Sequence, residues 1–184
     1  MSKIQKQNIS LKMTVALAML AAISIILGKF LAIPVGDVLR FSFENLPIIF
    51  AGIVFGAIPA LLVGVTADII GCILVGFAIN PVVTLGAAVI GLTAGIVPVL
   101  LKRYTSLGEK LIMIITVVVS HLCGSVLVKT FGLAAFYAMP IHLLLLWRLL
   151  NYTVVAVLEI IILIVLLNRD DVRCQIEKIR VKSK

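Results

Sequence analysis

The sequence predicts an all-α membrane protein of six transmembrane helices with both termini in the cytoplasm. Three observations lead there: the composition, the length of the apolar runs, and the side on which basic residues collect. Of 184 residues, 62% are hydrophobic and 13% charged, and the mean hydropathy is +1.27. A soluble domain carries about 25% charged residues, so this chain has too little polar surface to cover a water-facing globule. A span needs roughly 20 apolar residues, and the length accommodates about six spans in one domain. That excludes a multidomain enzyme and a transporter carrying its own nucleotide-binding domain.

The elements follow in order. Helix one is expected over 11–33, after a short basic start. Its apolar stretch is longer than that of a signal peptide and contains Lys29, so it is expected to stay in the mature chain. Helix two, over 44–56, is a short apolar run closed by the tight turn Gly56-Ala57-Ile58-Pro59. Helix three is expected over 59–76 and helix four over 81–101. A polar loop, 102–110, leads into helix five, 109–130; residues 130–140 read as a longer connection to helix six, 142–168. The tail 169–184 is charged and expected in the cytoplasm, and 1–184 form a single integral membrane domain.

Basic residues set the orientation. The net charge of +8 comes from 16 Lys and Arg against 8 Asp and Glu. With six crossings, twelve of the basic residues fall in the two tails and the 102–110 loop, and only Lys29, Arg40, Lys129 and Arg148 fall elsewhere. The asymmetry places both termini inside, in the cell membrane, and makes the charge a topology signal instead of a nucleic-acid footprint. Cys72, Cys123 and Cys174 follow no metal-ligand spacing and read as reduced thiols. No metal site and no catalytic residue is assigned.

The four displaced cations point to a site. An ionisable group in a membrane helix is costly unless it faces water or a partner. Arg148 lies about 9 Å along helix six from its start, a depth that favours ligand contact. Lys29 reads as snorkelling to the outer headgroups, and Lys129 is open between snorkelling and ligand contact. Arg40 is open between a ligand and a pairing with Asp37 or Glu44. His121, Ser125 and Lys129 recur at every fourth position, as do Arg148 and Tyr152, so each set makes a polar stripe, with Asn151 beside the second. Arg40-Phe41-Ser42-Phe43-Glu44 and Phe136-Tyr137 add aromatic rings from two outer loops, the second pair open between ligand stacking and an interfacial belt. A basic and aromatic cup open to the outside suits a small organic anion with a planar part. Asp68 and Glu159 lie deeper and are open between proton coupling and structural hydrogen bonding.

Small residues at four-residue spacing, Ala18 and Ala22, Gly52 and Gly56, Gly91 and Gly95, mark close helix packing. Ala16, Ala18, Ala21 and Ala22 leave one side of helix one flat enough to receive a helix of another protein.

The stretch Arg40-Phe-Ser-Phe-Glu-Asn-Leu-Pro-Ile-Ile-Phe-Ala-Gly-Ile-Val-Phe-Gly56, then Gly64-Val-Thr-Ala-Asp68, Asn80-Pro81 with Thr84, and Gly91-Leu-Thr-Ala-Gly95, resembles the substrate-binding S components of energy-coupling-factor (ECF) vitamin transporters. Lys129-Thr-Phe-Gly-Leu133, Tyr137, Arg148, Asn151-Tyr152 and Glu159 make it most similar to the folate-specific group. The resemblance spans nearly all of 11–168. It implies a six-helix subunit that captures a vitamin outside and joins a membrane coupling subunit and two cytoplasmic ATPases, which use the ATP. It also implies that Ala18 and Ala22 contact the coupling subunit. The chain has no Gly-x-x-x-x-Gly-Lys-[Ser/Thr] motif of its own. For folate as ligand, Arg40, Lys129 and Arg148 are assigned to the carboxylate tail, and Phe41, Asn80 and Tyr137 to the pterin ring. The competing readings are an S component for another vitamin or precursor, a small membrane enzyme using His121 or His142 with Asp68 or Glu159, and an assembly subunit without a ligand.

Overall fold

A computed structural model describes residues 10–35, 39–138 and 140–181, with the side chains of Val35, Leu39, Tyr137, Arg180 and Val181 outside the described set. Helix α1 (Leu11–Ile25) opens on Ser10, whose hydroxyl accepts the Met13 N–H, and continues into a π turn, Ile26–Phe30. A hairpin follows, β1 (Ile33–Val35) paired antiparallel with β2 (Leu39–Phe41). Helix α2 spans Asn45–Phe55, α3 Ala57–Val75 and α4 Pro81–Tyr104. Helix α5 (Glu109–Ser120) runs through a π segment, His121–Val128, into α6 (Lys129–Tyr137). Helix α7 (Ile141–Leu167) and a tail helix α8 (Asp170–Val181) complete the chain.

Five helical stretches are long and apolar enough to cross a membrane: Leu11–Phe30, Ala57–Val75, Pro81–Tyr104, Glu109–Phe136 and Ile141–Leu167. Their outer faces carry exposed Val15, Met19, Leu62, Val99, Trp147 and Ile161, side chains that suit hydrocarbon and not water. Helix α2 is shorter, 11 residues, and buries one flank of the core with Ile48, Ile49, Ala51 and Val54.

Helix α4 is the centre of the bundle, and small residues let its neighbours close on it. A side chain at Gly91 would meet the Ala60 carbonyl carbon at 2.5 Å, and one at Gly64 would meet the Ala87 oxygen at 2.6 Å. The backbones of α3 and α4 therefore touch along an antiparallel contact, the membrane analogue of a hydrophobic core. Gly56, at φ +96, lets α2 turn directly into α3, and Gly76, at φ +70, ends α3 in the left-handed conformation.

Three departures from the sequence reading have local causes. Residues 31–33 leave the first helix, because Pro34 holds Ile33 extended and starts the hairpin. Residues 130–137 are helical, not a connection. Lys129, at the start of this stretch, is paired inside with Glu44, and Gly132 lies against Val82. The helix ends only at Ala138, φ 51, ahead of Pro140. The tail also forms a helix, on which Ile176 and Ile179 pack against the core while Arg173 Nε donates to the Leu167 carbonyl at 2.7 Å. The flat side of α1 is narrower than expected as well. Ala18 and Ala22 face outward, whereas Ala21 is buried and Ala16 half-buried.

Candidate functional site

A cavity of about 290 Å³ lies where α1, α3 and α6 end and where α2, α4 and α7 begin. Alternate residues of the strand leaving the hairpin build one wall. Arg40, Ser42 and Glu44 line the cavity, and Phe41 and Phe43, edge to face with each other at 6.0 Å, turn the other way and pack against Val126, Tyr152 and Val155. Phe41, expected to face the ligand, is therefore part of the wall's backing. The ring that does face the cavity from this side is Phe77, one residue past the αL glycine of α3, with the Arg40 guanidinium 4.2 Å from its centroid.

Four basic side chains, Lys29, Arg40, Lys129 and Arg148, line the cavity against two acidic ones, Glu44 and Asp68, an excess of two positive charges. The lysines are already paired. Lys29 does not snorkel outward: its side chain is 12% exposed, and its ammonium lies 3.7 Å from Asp68 Oδ1 and 3.7 Å from Cys72 Sγ. Asp68 also accepts the Thr84 hydroxyl at 2.6 Å. Lys129 is buried and donates to Glu44 Oε1 at 2.6 Å. Glu44 thus goes to Lys129 and not to Arg40; Asp37, the other partner considered for Arg40, lies outside the described residues.

Arg148 is held differently. Its Nε and one terminal nitrogen donate to the main-chain carbonyl of Ser125, at 3.0 and 2.7 Å, and the guanidinium reaches the Tyr152 hydroxyl at 3.4 Å. The π segment makes this arrangement. The Lys129 N–H bonds to Gly124, five residues back, instead of to the Ser125 carbonyl that an α-helix would give it. The Ser125 carbonyl accepts the arginine. Among the described residues, neither Arg40 nor Arg148 meets a carboxylate at ion-pair distance.

The remaining expected residues are placed as follows. Asn80 lines the cavity, but its side chain is occupied: Oδ1 caps α4 by accepting the N–H groups of Val82 and Val83, and Nδ2 donates to the Gly132 carbonyl at 3.0 Å. The side chain of Tyr137 lies outside the described residues, and its neighbour Phe136 lines the cavity. Asn151 donates to the Arg40 carbonyl and ties α7 to the hairpin. His121 and Glu159 form a buried pair outside the cavity lining, and His142 is exposed at the start of α7, about 25 Å of helix from Glu159. Among the described residues, no cluster of three or more His, Cys, Asp and Glu suits a metal ion.

The family model for the substrate-specific component of ECF transporters matches residues 12–167. The chain belongs to this family. It is accordingly a multi-pass membrane protein and a transport subunit that binds a substrate. The substrate-specific component shares its fold with a crystal structure of FolT bound with folic acid, with a TM-score of 0.65 and 19% sequence identity. The match covers 82% of this chain and 88% of that one. No curated protein matches the chain.

Sequence reasoning missed Phe77, Lys29 and Cys72 as lining residues. The signal for Phe77 was its place directly after Gly76 at a helix end. The Lys29 contacts had none, because Lys29 and Asp68 stand on helices whose rotation about their axes a single sequence does not set.

Proposed function

We propose that this substrate-specific component captures folate, or a vitamin of the same charge and shape, at the outer face of the cell membrane. Import is then driven by a separate membrane coupling subunit and two cytoplasmic ATPases. The observation that carries the reading is the pair Arg40 and Arg148, two cations at one cavity with no acidic partner among the described residues. A ligand with two carboxylates matches that excess, and charge-assisted bonds to arginine are the strong ones. Arg148 holds the ligand at the cavity floor and Arg40 at the mouth. Lys129, neutralised by Glu44, lends a further donor to the carboxylate tail. Phe77 and Phe136 offer faces for a flat ring, to which Tyr137 and Asn80 are also assigned, and Phe41 supports the wall. The fold shared with a folic-acid complex supports this choice.

The topology proposed is six crossings with both termini cytoplasmic, helix α2 and the hairpin together forming the short crossing. The alternation of helix ends and helix starts at the cavity supports the crossings, and the twelve-to-four split of basic residues counted on them supports an outward cavity end. The coupling subunit is assigned to the outward face of α1 at Ala18 and Ala22, where small side chains permit close approach.

Mass spectrometry of the small molecules that co-purify with the chain, followed by calorimetry with folic acid, tests the ligand. Recovery of a vitamin lacking carboxylates, with no heat on adding folic acid, would displace folate from the proposal.

A further inference from the structure

The buried pair His121 and Glu159 is used by nothing in the account so far. The two side chains are 3% and 0% exposed, and Nε2 of the histidine lies 2.6 Å from Glu159 Oε2. On the other side of the ring, Nδ1 is 3.3 Å from the Ser125 hydroxyl, which also takes a hydrogen bond from Asn45 Nδ2 at 3.1 Å. With Asn45 donating, the Ser125 hydroxyl hydrogen is left for Nδ1, which turns the Nε2–H of His121 toward Glu159. The imidazole also lies against the Tyr152 ring, centroids 5.2 Å apart and tilted by 32°.

Ser125 and Tyr152 are the residues that hold Arg148, one by its carbonyl and the other by its hydroxyl. The histidine meets the same two residues at other atoms, the Ser125 hydroxyl and the Tyr152 ring. A buried acid and its partner are costly within a bilayer, and leucines would pack three helices as well. What apolar side chains do not supply is orientation: the hydrogen bonds at the two ring nitrogens fix the plane of the imidazole, and with it the Ser125 side chain it bonds and the Tyr152 ring it lies against.

We propose that the His121–Glu159 pair is a positioning device for Arg148: it locks Ser125 and Tyr152, and through them fixes the guanidinium at the cavity floor. The inference rests on the reading of Arg148 as an anion-binding group and adds the residues that aim it.

The test replaces the pair together, His121→Leu with Glu159→Leu, so that no unpaired buried charge remains, and uses Glu159→Gln as the conservative variant that keeps an acceptor for the imidazole. The first readout needs no ligand. In the full chain labelled with ¹⁵N-arginine, the Arg148 Nε–H resonance is assigned by its loss in Arg148→Lys. It should move to the position of an unbonded guanidinium in the double variant and stay in place in Glu159→Gln. The second readout is calorimetry with folic acid. The double variant should bind about fivefold more weakly or worse, yet cost less than about twofold when placed on Arg148→Ala, because the pair acts through that arginine. An unmoved Arg148 resonance, or the same loss in both backgrounds, overturns the proposal. If the native chain takes up no folic acid, the ligand assignment fails while the resonance still decides the positioning role.

Discussion

Lys29, in the π turn that continues α1, and Asp68, on α3, meet at 3.7 Å across the cavity wall. Each is mostly shielded from solvent, so removing the lysine leaves a carboxylate without its counter-charge in a weakly polar place. Lys29→Ala should lower stability by about 3 kcal/mol. Adding Asp68→Ala should recover much of the loss, since the orphaned charge is then gone. Thermal denaturation of the detergent-solubilised chain measures both. Equal melting of Lys29→Ala and the native protein would return Lys29 to the headgroups.

The α3 and α4 backbones touch at Gly91, where an added Cβ would collide with the Ala60 main chain. Main chain cannot rotate away as a side chain can, so Gly91→Val should cost about 2 kcal/mol or more by overpacking. A fall in the fraction of monodisperse protein on size exclusion, beside an unchanged Gly108→Val control in open space, is the expected result.

On the outward face of α1, Ala18→Trp with Ala22→Trp should leave folic-acid affinity unchanged and abolish co-purification with the coupling subunit, because a bulky side chain holds two helices apart. Assembly and uptake that survive both substitutions would assign another surface.

Orientation is checked by single cysteines on a background without Cys72, Cys123 and Cys174. Thr105 and Ala138 are exposed at opposite ends of the long helix pair α4–α6. In intact cells a membrane-impermeant maleimide should label Ala138→Cys and leave Thr105→Cys untouched; the reverse pattern contradicts the topology.

Apolar runs and glycine spacing made the bundle readable from the sequence, because in a membrane the same residues that define a span also define its packing. Arg148 was readable for a related reason: a guanidinium well inside an apolar helix needs a local explanation. What a single sequence did not supply was rotation and pairing. Phe41 was taken for a ligand face as an aromatic of the first outer loop, yet strand alternation turns it to Tyr152. Lys129 was open between snorkelling and ligand contact, and the partner that holds it, Glu44, stands far off in sequence. The π segment is the clearest case. His121, Ser125 and Lys129 were read at α-helical spacing, and the wider turn that hands the Ser125 carbonyl to Arg148 has no marker in composition.

The most direct test is a calorimetric titration of folic acid into the full chain, native and Arg148→Ala. The account predicts one ligand per native chain. It predicts affinity roughly 10- to 100-fold weaker in the variant, the loss of a charge-assisted hydrogen bond of about 1.5–3 kcal/mol. Native affinity in Arg148→Ala would contradict it, by removing the buried arginine from ligand recognition.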